Sequence, residues 1–151
     1  MEIRKMTEAD IPEILALQQK LAFQNWNERE FLSEISASYA HCVVCVCTEK
    51  SKEHLLGYAV FHLMGPDSEL LSIATRKSNQ RHGIGTALLN SGLDKLTGED
   101  DCCFLEVRKG NKKAKRFYEK NGFEPYSTRK RYYADGEDAI LYKKKRNSQE
   151  D

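Results

Sequence analysis

Glu106 and Tyr118 are the residues of this 151-residue chain best suited to move protons. Glu106 stands in an otherwise apolar predicted strand, residues 102–108, where a bare carboxylate would be costly to bury, so a lined cleft with water explains its presence. Tyr118 follows on a predicted helix, and a phenol with a pKa of about 10 is protonated at neutral pH and can deliver a proton. Glu69, on an earlier predicted strand, is the alternative base. The non-catalytic alternatives are a salt bridge between Glu106 and Arg108 and a core position for Tyr118.

A glycine turn that opens a helix is the second chemical feature. Residues 80–86 read Gln-Arg-His-Gly-Ile-Gly-Thr, and an apolar Ala-Leu-Leu run follows. Gly83 and Gly85 let backbone N–H groups approach an anion closely, and the helix N-terminus adds unpaired amides and the positive end of its dipole. No Lys follows Gly85, which excludes a P-loop, and Leu88 excludes the dinucleotide fingerprint. The turn therefore predicts a phosphate or pyrophosphate site, with a purely structural turn as the alternative.

Periodicity and turn residues define the elements that must position these groups. Strands are predicted at residues 2–6, 40–48, 55–64, 69–75, 102–108, 124–132 and 138–142. Helices are predicted from Thr7 or Asp10 to Leu21, from Asn27 with Glu30 completing a capping box, over residues 83–96, and from Asn111 to Gly122. This order predicts one α/β domain, residues 1–142, in which a mixed sheet carries helices on both faces. Residues 143–151 are predicted to be a disordered polar tail.

The amino-acid composition indicates the general class of this protein. Hydrophobic residues make up 40% of the chain and charged residues 31%, which is typical of a soluble globular domain. No apolar run is long enough to span a bilayer and no signal peptide is recognisable, so we expect a cytoplasmic protein with no membrane partner. The odd number of cysteines, five, argues against a disulfide framework. Strand alternation sends Cys42 and Cys45 to opposite faces, and the histidines are scattered, so we expect no metal site and no covalent intermediate.

Charge is concentrated in residues 108–131. This segment holds 10 Lys/Arg against 2 Asp/Glu, a net charge of +8, whereas the whole chain carries +1. The segment can attract phosphates or an acidic partner, or it can be a solvated helix face. It also supports a rival hypothesis, a non-catalytic module that binds RNA or a ribosomal surface.

The motifs together resemble a known family. The glycine turn, with its Gln/Arg-x-x-Gly-x-Gly/Ala order, resembles the acetyl-CoA pyrophosphate loop of the GNAT N-acetyltransferases. Their second signature block is similar to Leu105-Glu106-Val107-Arg108, Asn111, Ala114, Phe117-Tyr118-Glu119-Lys120 and Gly122-Phe123. Within that superfamily, Arg131, Tyr132 and Tyr133, with Glu137-Asp138-Ala139, resemble the ribosomal-protein-alanine N-acetyltransferases (RimI type). The resemblance covers nearly the whole chain, with departures at Asn25-Trp26, Thr75 and Lys77-Ser78.

The resemblance implies a fold, a cosubstrate and roles. It implies the GNAT-like acyl-CoA N-acyltransferase fold and direct acetyl transfer from acetyl-CoA, with Glu106 as general base and Tyr118 as general acid. The implied acetyl-CoA contacts are Ile73, Ala74, Thr75, Arg81, His82, Gly83, Ile84, Gly85, Thr86 and Asn111. The implied substrate is a protein N-terminus, the N-terminal alanine of a small-subunit ribosomal protein, bound between aromatic walls formed by Trp26, Tyr132 and Tyr133.

The sequence is also compatible with other acceptors. They are another protein N-terminus, or a small amine such as a polyamine held by the acids Asp135, Glu137 and Asp138. We expect a monomer or weak dimer without direct nucleic-acid binding.

Overall fold

In the computed structural model, which describes residues 1–21, 26–77 and 83–147, a mixed sheet of seven strands in the order β1-β2-β3-β4-β5-β7-β6 forms the centre of the molecule. The strands are β1 (Glu2–Lys5), β2 (Ala40–Glu49), β3 (Lys52–His62), β4 (Asp67–Thr75), β5 (Cys102–Arg108), β6 (Glu124–Arg129) and β7 (Ala139–Lys145). The helices are α1 (Ile11–Gln19), α2 (Glu28–Ser36), α3 (Ile84–Leu93) and α4 (Lys112–Lys120). Among the described residues, no helix is long and apolar enough to cross a membrane.

Local signals set the starts of the helices as predicted. The Asn27 side chain accepts a hydrogen bond from the Glu30 N–H, and the Glu30 carboxylate accepts one from the Asn27 N–H, which completes the capping box of α2. The Asn111 side chain accepts from the Ala114 N–H and caps α4. Both caps satisfy amides that have no partner within their helix.

Two cores lie on opposite faces of the sheet. One packs α1 and α2 against residues such as Cys42 and Tyr58, and the other packs α3 and α4 against residues such as Cys45 and Leu105. Side chains alternate along a strand, so Cys42 and Cys45 face different cores, as predicted. All five cysteines are free. The prediction of a mixed sheet with helices on both faces is confirmed.

Two irregularities shape β4. Val60 pairs with Ser72 but Phe61 pairs with Leu70, which leaves Leu71 as an extra residue, a β-bulge. Parallel pairing between β4 and β5 begins at Asp67 and stops at the pair Glu69 and Phe104. The two strands therefore separate along the rest of their length, and the β5-facing edge of β4 has no strand partner there.

The last strands differ from the prediction. β7 continues to Lys145 because residues 143–145 pair with the first residues of β5, so the predicted disordered tail is wrong for these positions. The Arg146 N–H also donates to the Asp101 carbonyl. β6 ends at Arg129 rather than at residue 132, and residues 130–138 form the loop to β7. Residues 148–151 of the predicted tail lie outside the described residues.

Candidate active site

A cavity of about 650 Å³ lies beside the point where β4 and β5 separate. It is lined by three carboxylates, Asp67, Glu69 and Glu106, by four aromatic rings, Trp26, Phe104, Tyr126 and Tyr132, by Arg129 and by Leu70, Leu71, Leu105 and Leu141. Acidic groups beside aromatic walls suit the binding of an amine and the removal of its proton.

Glu106 reaches this cavity because of strand alternation. Its neighbours Leu105 and Val107 are buried in the core under α3 and α4, so the Glu106 side chain points to the opposite face, where it is exposed to the cavity. The alternative of a salt bridge to Arg108 is wrong. The Arg108 guanidinium donates instead to Asp135 at 2.9 Å and to Glu137 at 3.0 Å.

Glu69 lies in the same cavity, on the neighbouring strand. It belongs to the last pair that joins β4 to β5, and its side chain is exposed. The sequence left Glu69 and Glu106 as separate candidates for the base. The structure brings both carboxylates to the lining of one cavity.

Tyr118 occupies the other face of the sheet. Its ring packs against Phe117, Phe123 and Tyr142 at centroid distances of 5.2, 5.7 and 6.4 Å. Tyr118 is 8% exposed, and burial raises the pKa of its hydroxyl well above the ordinary value. The hydroxyl is therefore protonated throughout the physiological range, but it does not line the cavity that holds Glu106.

The loop of residues 130–138 supplies one aromatic wall. Tyr132 lines the cavity together with Glu106, and the Glu106 carboxylate nearby is the main cause of the raised pKa of Tyr132. Arg108 lies over the Tyr133 ring, 4.1 Å from its centroid. Glu137 accepts from Arg108 and also from the Gly110 N–H at 3.0 Å. These contacts, which we call the Arg108 clamp, attach the loop to β5 and to the turn before α4.

Trp26 supplies another wall at the start of α2. Its ring lies 5.2 Å from the ring of Phe31, which is fully buried. Phe31 in turn contacts Tyr58 edge to face at 5.6 Å. The structure thus brings Trp26, Tyr132 and Glu106 to one cavity, as the proposed groove requires, whereas Tyr133 is held beneath Arg108.

The predicted cosubstrate contacts fall on two elements. Ile73, Ala74 and Thr75 lie on β4 beyond the pairs that join this strand to β5, which end at Glu69. Gly83 precedes α3 with a φ of 79°, and a Cβ built there would meet no atom of the described residues within 4 Å. No described side chain caps this helix, so the amides of its first turn, which includes Ile84, Gly85 and Thr86, are available to an anion.

Gly85 and Asn111, two of the predicted contacts, also have structural roles. A Cβ at Gly85 would lie 2.9 Å from the Phe117 ring, so this glycine permits α3 to pack closely on α4. Asn111 uses its side-chain oxygen to cap α4. Arg81 and His82 lie outside the described residues.

The acids considered for polyamine binding are already engaged. Asp135 and Glu137 accept from Arg108, and Asp138 accepts from the Arg131 N–H at 2.9 Å. None of the three lines the cavity. Among the described residues, no group of three or more His, Cys, Asp or Glu side chains could hold a metal ion.

Four polar or aromatic residues of the cavity were not predicted as site residues from the sequence: Asp67, Phe104, Tyr126 and Arg129. The rings of Phe104 and Tyr126 are T-shaped at 5.9 Å, and the Arg129 guanidinium lies 5.5 Å from the centroid of Tyr132. Tyr126 and Arg129 belong to β6, which is separated from β5 by β7. Local periodicity carries no signal for this proximity, because it depends on the order of strands in the sheet.

Known proteins are similar to this chain in both sequence and fold. The Acetyltransferase (GNAT) family matches residues 10–123. The [ribosomal protein bS18]-alanine N-acetyltransferase of Escherichia coli K12 is 30% identical over 143 residues, 92% of this chain and 93% of that protein. The crystal structure of the ribosomal-protein-S18-alanine N-acetyltransferase from Escherichia coli superposes with a TM-score of 0.80 at 27% identity, covering 99% of this chain and 96% of that one.

A more distant structure shares the fold alone. Arabidopsis thaliana NAA60, solved in complex with acetyl-CoA, has a TM-score of 0.83 at 14% identity and covers 95% of this chain and 97% of its own. The predicted acyl-CoA N-acyltransferase fold is therefore confirmed.

Proposed function

This chain belongs to the GNAT family of acetyltransferases and is an N-acetyltransferase, and from that premise we propose that its acceptor is the α-amino group at a protein N-terminus. The observation that carries the proposal is the cavity in which Glu106 lies beside aromatic walls. An extended N-terminus needs such a groove, because aromatic rings give contact area while a carboxylate takes the proton.

Acetyl-CoA, which the family uses, supplies the acetyl thioester when bound. We propose that its pyrophosphate lies against the first turn of α3, where Gly83 lets the backbone approach an anion. Residues 73–75 of β4, which lie beyond its pairing with β5, would contact the amide groups of acetyl-CoA through their backbone, in the manner of an added strand. The departures at Thr75 and Lys77-Ser78 affect this proposal little, since backbone and not side chains makes these contacts.

Glu106 acts as the general base in this proposal. An N-terminal amine has a pKa of about 7.7 to 8.0, so most of it is protonated at neutral pH and cannot attack a thioester. Glu106 removes that proton, and Tyr132 lines the cavity beside it. Glu69, in the same cavity, is the alternative base.

Tyr118 acts as the general acid. Burial keeps its hydroxyl protonated, and the departing CoA thiolate, with a thiol pKa of about 8.5, leaves more readily when a proton reaches its sulfur. Tyr118 and Glu106 lie on opposite faces of the sheet, so the proposal requires the thioester to lie where β4 and β5 separate, between the two side chains.

The acceptor that we favour begins with alanine and belongs to a small-subunit ribosomal protein. The support is the Escherichia coli relative, whose name specifies the alanine of ribosomal protein bS18. The basic segment 108–131 is a second support, since it could bind acidic residues downstream of the acceptor. Arg108 itself is excluded from that role because it is paired within the clamp.

One experiment tests acceptor and chemistry together: mass spectrometry of N-terminal peptides and small amines incubated with acetyl-CoA. We expect acetylation at the α-amino group of alanine peptides. Glu106→Gln should lower turnover by about 10²-fold, the usual loss for a general base, while the matched variant Glu69→Gln retains most activity. Tyr118→Phe should slow the chemical step and leave acetyl-CoA affinity largely intact.

Two results would contradict the proposal. Modification confined to lysine side chains or polyamines would overturn the N-terminal acceptor. Full activity in Glu106→Gln together with loss in Glu69→Gln would move the base to β4. For acetyl-CoA binding by calorimetry, Gly83→Glu is the informative variant, because a side chain at Gly85 would also collide with Phe117.

A further inference from the structure

A chain of buried hydrogen bonds runs from the backbone of Trp26 to β4. Gln18 on α1 donates from Nε2 to the Trp26 carbonyl at 2.9 Å, and its Oε1 accepts from the Trp26 N–H at 3.3 Å. The same Oε1 accepts from the Tyr58 hydroxyl at 3.2 Å. The Tyr58 hydroxyl also lies 2.8 Å from the Ser72 hydroxyl. Gln18, Tyr58 and Ser72 are 3, 2 and 6% exposed.

The direction of these bonds follows from the number of donors. Tyr58 has one hydroxyl proton and gives it to Gln18, so Ser72 must donate to Tyr58. The peptide groups of Trp26 offer one donor and one acceptor, and a side-chain amide satisfies both in one orientation. Neither an aliphatic side chain nor an ionised carboxylate of similar size can do so. The chain of bonds therefore specifies an amide at position 18.

Both ends of this chain lie at the candidate active site. Trp26 lines the cavity at one end. Ser72 at the other end follows the bulged residue Leu71 on β4 and precedes residues 73–75. Buried hydrogen bonds that are fully satisfied rigidify their surroundings, because any displacement leaves a polar group unpaired in an apolar core.

We propose that Gln18 is a positioning residue for the acceptor: it fixes the Trp26 wall relative to β4 through Tyr58 and Ser72. This inference rests on the proposed function, since the acceptor is taken to bind beside Trp26. Gln18 touches neither acceptor nor cosubstrate in this account. It acts through the Trp26 backbone, while the Phe31 ring, itself packed edge to face on Tyr58, contacts the indole.

Fluorescence gives a direct test, because Trp26 is the only tryptophan in the chain. Gln18→Met keeps the approximate length and volume of the side chain but removes its three hydrogen bonds, two with the Trp26 backbone and one with Tyr58. We expect acrylamide quenching of Trp26 to rise about 2-fold and its anisotropy to fall, since the wall is no longer anchored. Gln19→Met is the matched control on an exposed position of the same helix and should change neither. Unchanged quenching in a folded Gln18→Met protein would overturn the proposal.

Kinetic measurements distinguish a role of Gln18 in positioning the acceptor site from a general loss of structure. Gln18→Met should raise the KM of an alanine peptide about 10-fold and change the acetyl-CoA Kd less than about 2-fold. An equal loss for both substrates would indicate a merely structural role and overturn the proposal. If Gln18→Met does not fold, Tyr58→Phe replaces it: this variant keeps the Trp26 contacts of Gln18 but loses the link to Ser72, and a smaller change of the same kind is expected.

Failure of the proposed function gives a different result. If the wild-type protein acetylates no α-amino group, the acceptor assignment fails, and with it the role of Gln18 toward that acceptor. The quenching comparison still decides whether Gln18 anchors Trp26.

Discussion

Trp26 and Tyr132 line one cavity, but the interactions that hold them differ in kind. Trp26 is anchored by neutral groups, the amide of Gln18 and the hydroxyls of Tyr58 and Ser72, all within the core. Tyr132 belongs to a loop held by the Arg108 clamp. The Arg108 side chain is 34% exposed and that of Asp135 is 63% exposed. One wall thus depends on buried hydrogen bonds and the other on ion pairs in contact with solvent.

The two walls should therefore differ in how much they contribute to the stability of the fold. A buried hydrogen bond contributes to the fold, because breaking it leaves an unpaired group away from water. An exposed ion pair contributes little to the fold, since water competes for both charges. Damage to either wall should therefore appear in acceptor binding, whereas only damage to the Trp26 wall should also lower the free energy of unfolding substantially.

The largest expected effect is on the buried side. Tyr58→Phe removes the hydroxyl that joins Gln18 to Ser72, so the Ser72 hydroxyl loses its acceptor. We expect the free energy of unfolding to fall by about 1 to 3 kcal/mol, measured by urea denaturation. The matched control, Tyr39→Phe, alters an exposed tyrosine and should stay within about 0.5 kcal/mol. Equal stabilities of the two variants would show that the buried chain contributes nothing.

The second largest effect is expected at the Tyr132 wall, when the Arg108 clamp is removed. Arg108→Gln removes the charge that holds Asp135 and Glu137 and uncovers Tyr133. We expect the acceptor KM to rise about 3- to 10-fold because the loop loses its anchor, while the free energy of unfolding falls by less than about 1 kcal/mol. Arg29→Gln, at an exposed position of α2, is the control. A large loss of stability with no change in KM would reverse the assignment of this wall.

The smallest effect is a response to acid confined to the clamp. The Glu137 N–H and the Arg108 guanidinium lower the pKa of Asp135 below its ordinary value. A lowered carboxyl pKa contributes stability that is present above the ordinary value of about 3.9 and is lost as pH falls through the folded-state pKa. We therefore expect the NMR signals of the Tyr133 ring to shift only below about pH 4. A shift between pH 5 and 8 would contradict this account.

The Trp26 wall should respond to high pH rather than to low pH. Burial raises the pKa of Tyr58 to about 12. A raised pKa gives stability that is complete below the ordinary value of about 10 and is lost as pH rises through the folded-state value. Trp26 fluorescence should therefore be constant between pH 5 and 9 while the protein is folded.

Local chemistry made much of the fold predictable from the sequence. β5 has the predicted bounds, and the caps at Asn27 and Asn111 are confirmed, because each depends on neighbours in the chain. The predictions were wrong where the end of a strand depends on a distant partner. Lys143 to Lys145 were predicted to belong to a polar tail but pair with β5. Arg108 read as a partner for Glu106 but binds Asp135 and Glu137 across a loop.

The sequence by itself determined which side chains could carry chemistry: a carboxylate on an apolar strand, a tyrosine on the following helix and a glycine turn before α3. These follow from composition, alternation and capping, which are local properties. Only the tertiary structure decided that Glu69 and Glu106 share a cavity and that Tyr118 lies across the sheet. It also decided that Gln18 joins Trp26 to β4. The physical reason is that these relations arise where β4 bulges and separates from β5, and a strand's register depends on its partners as much as on its own residues.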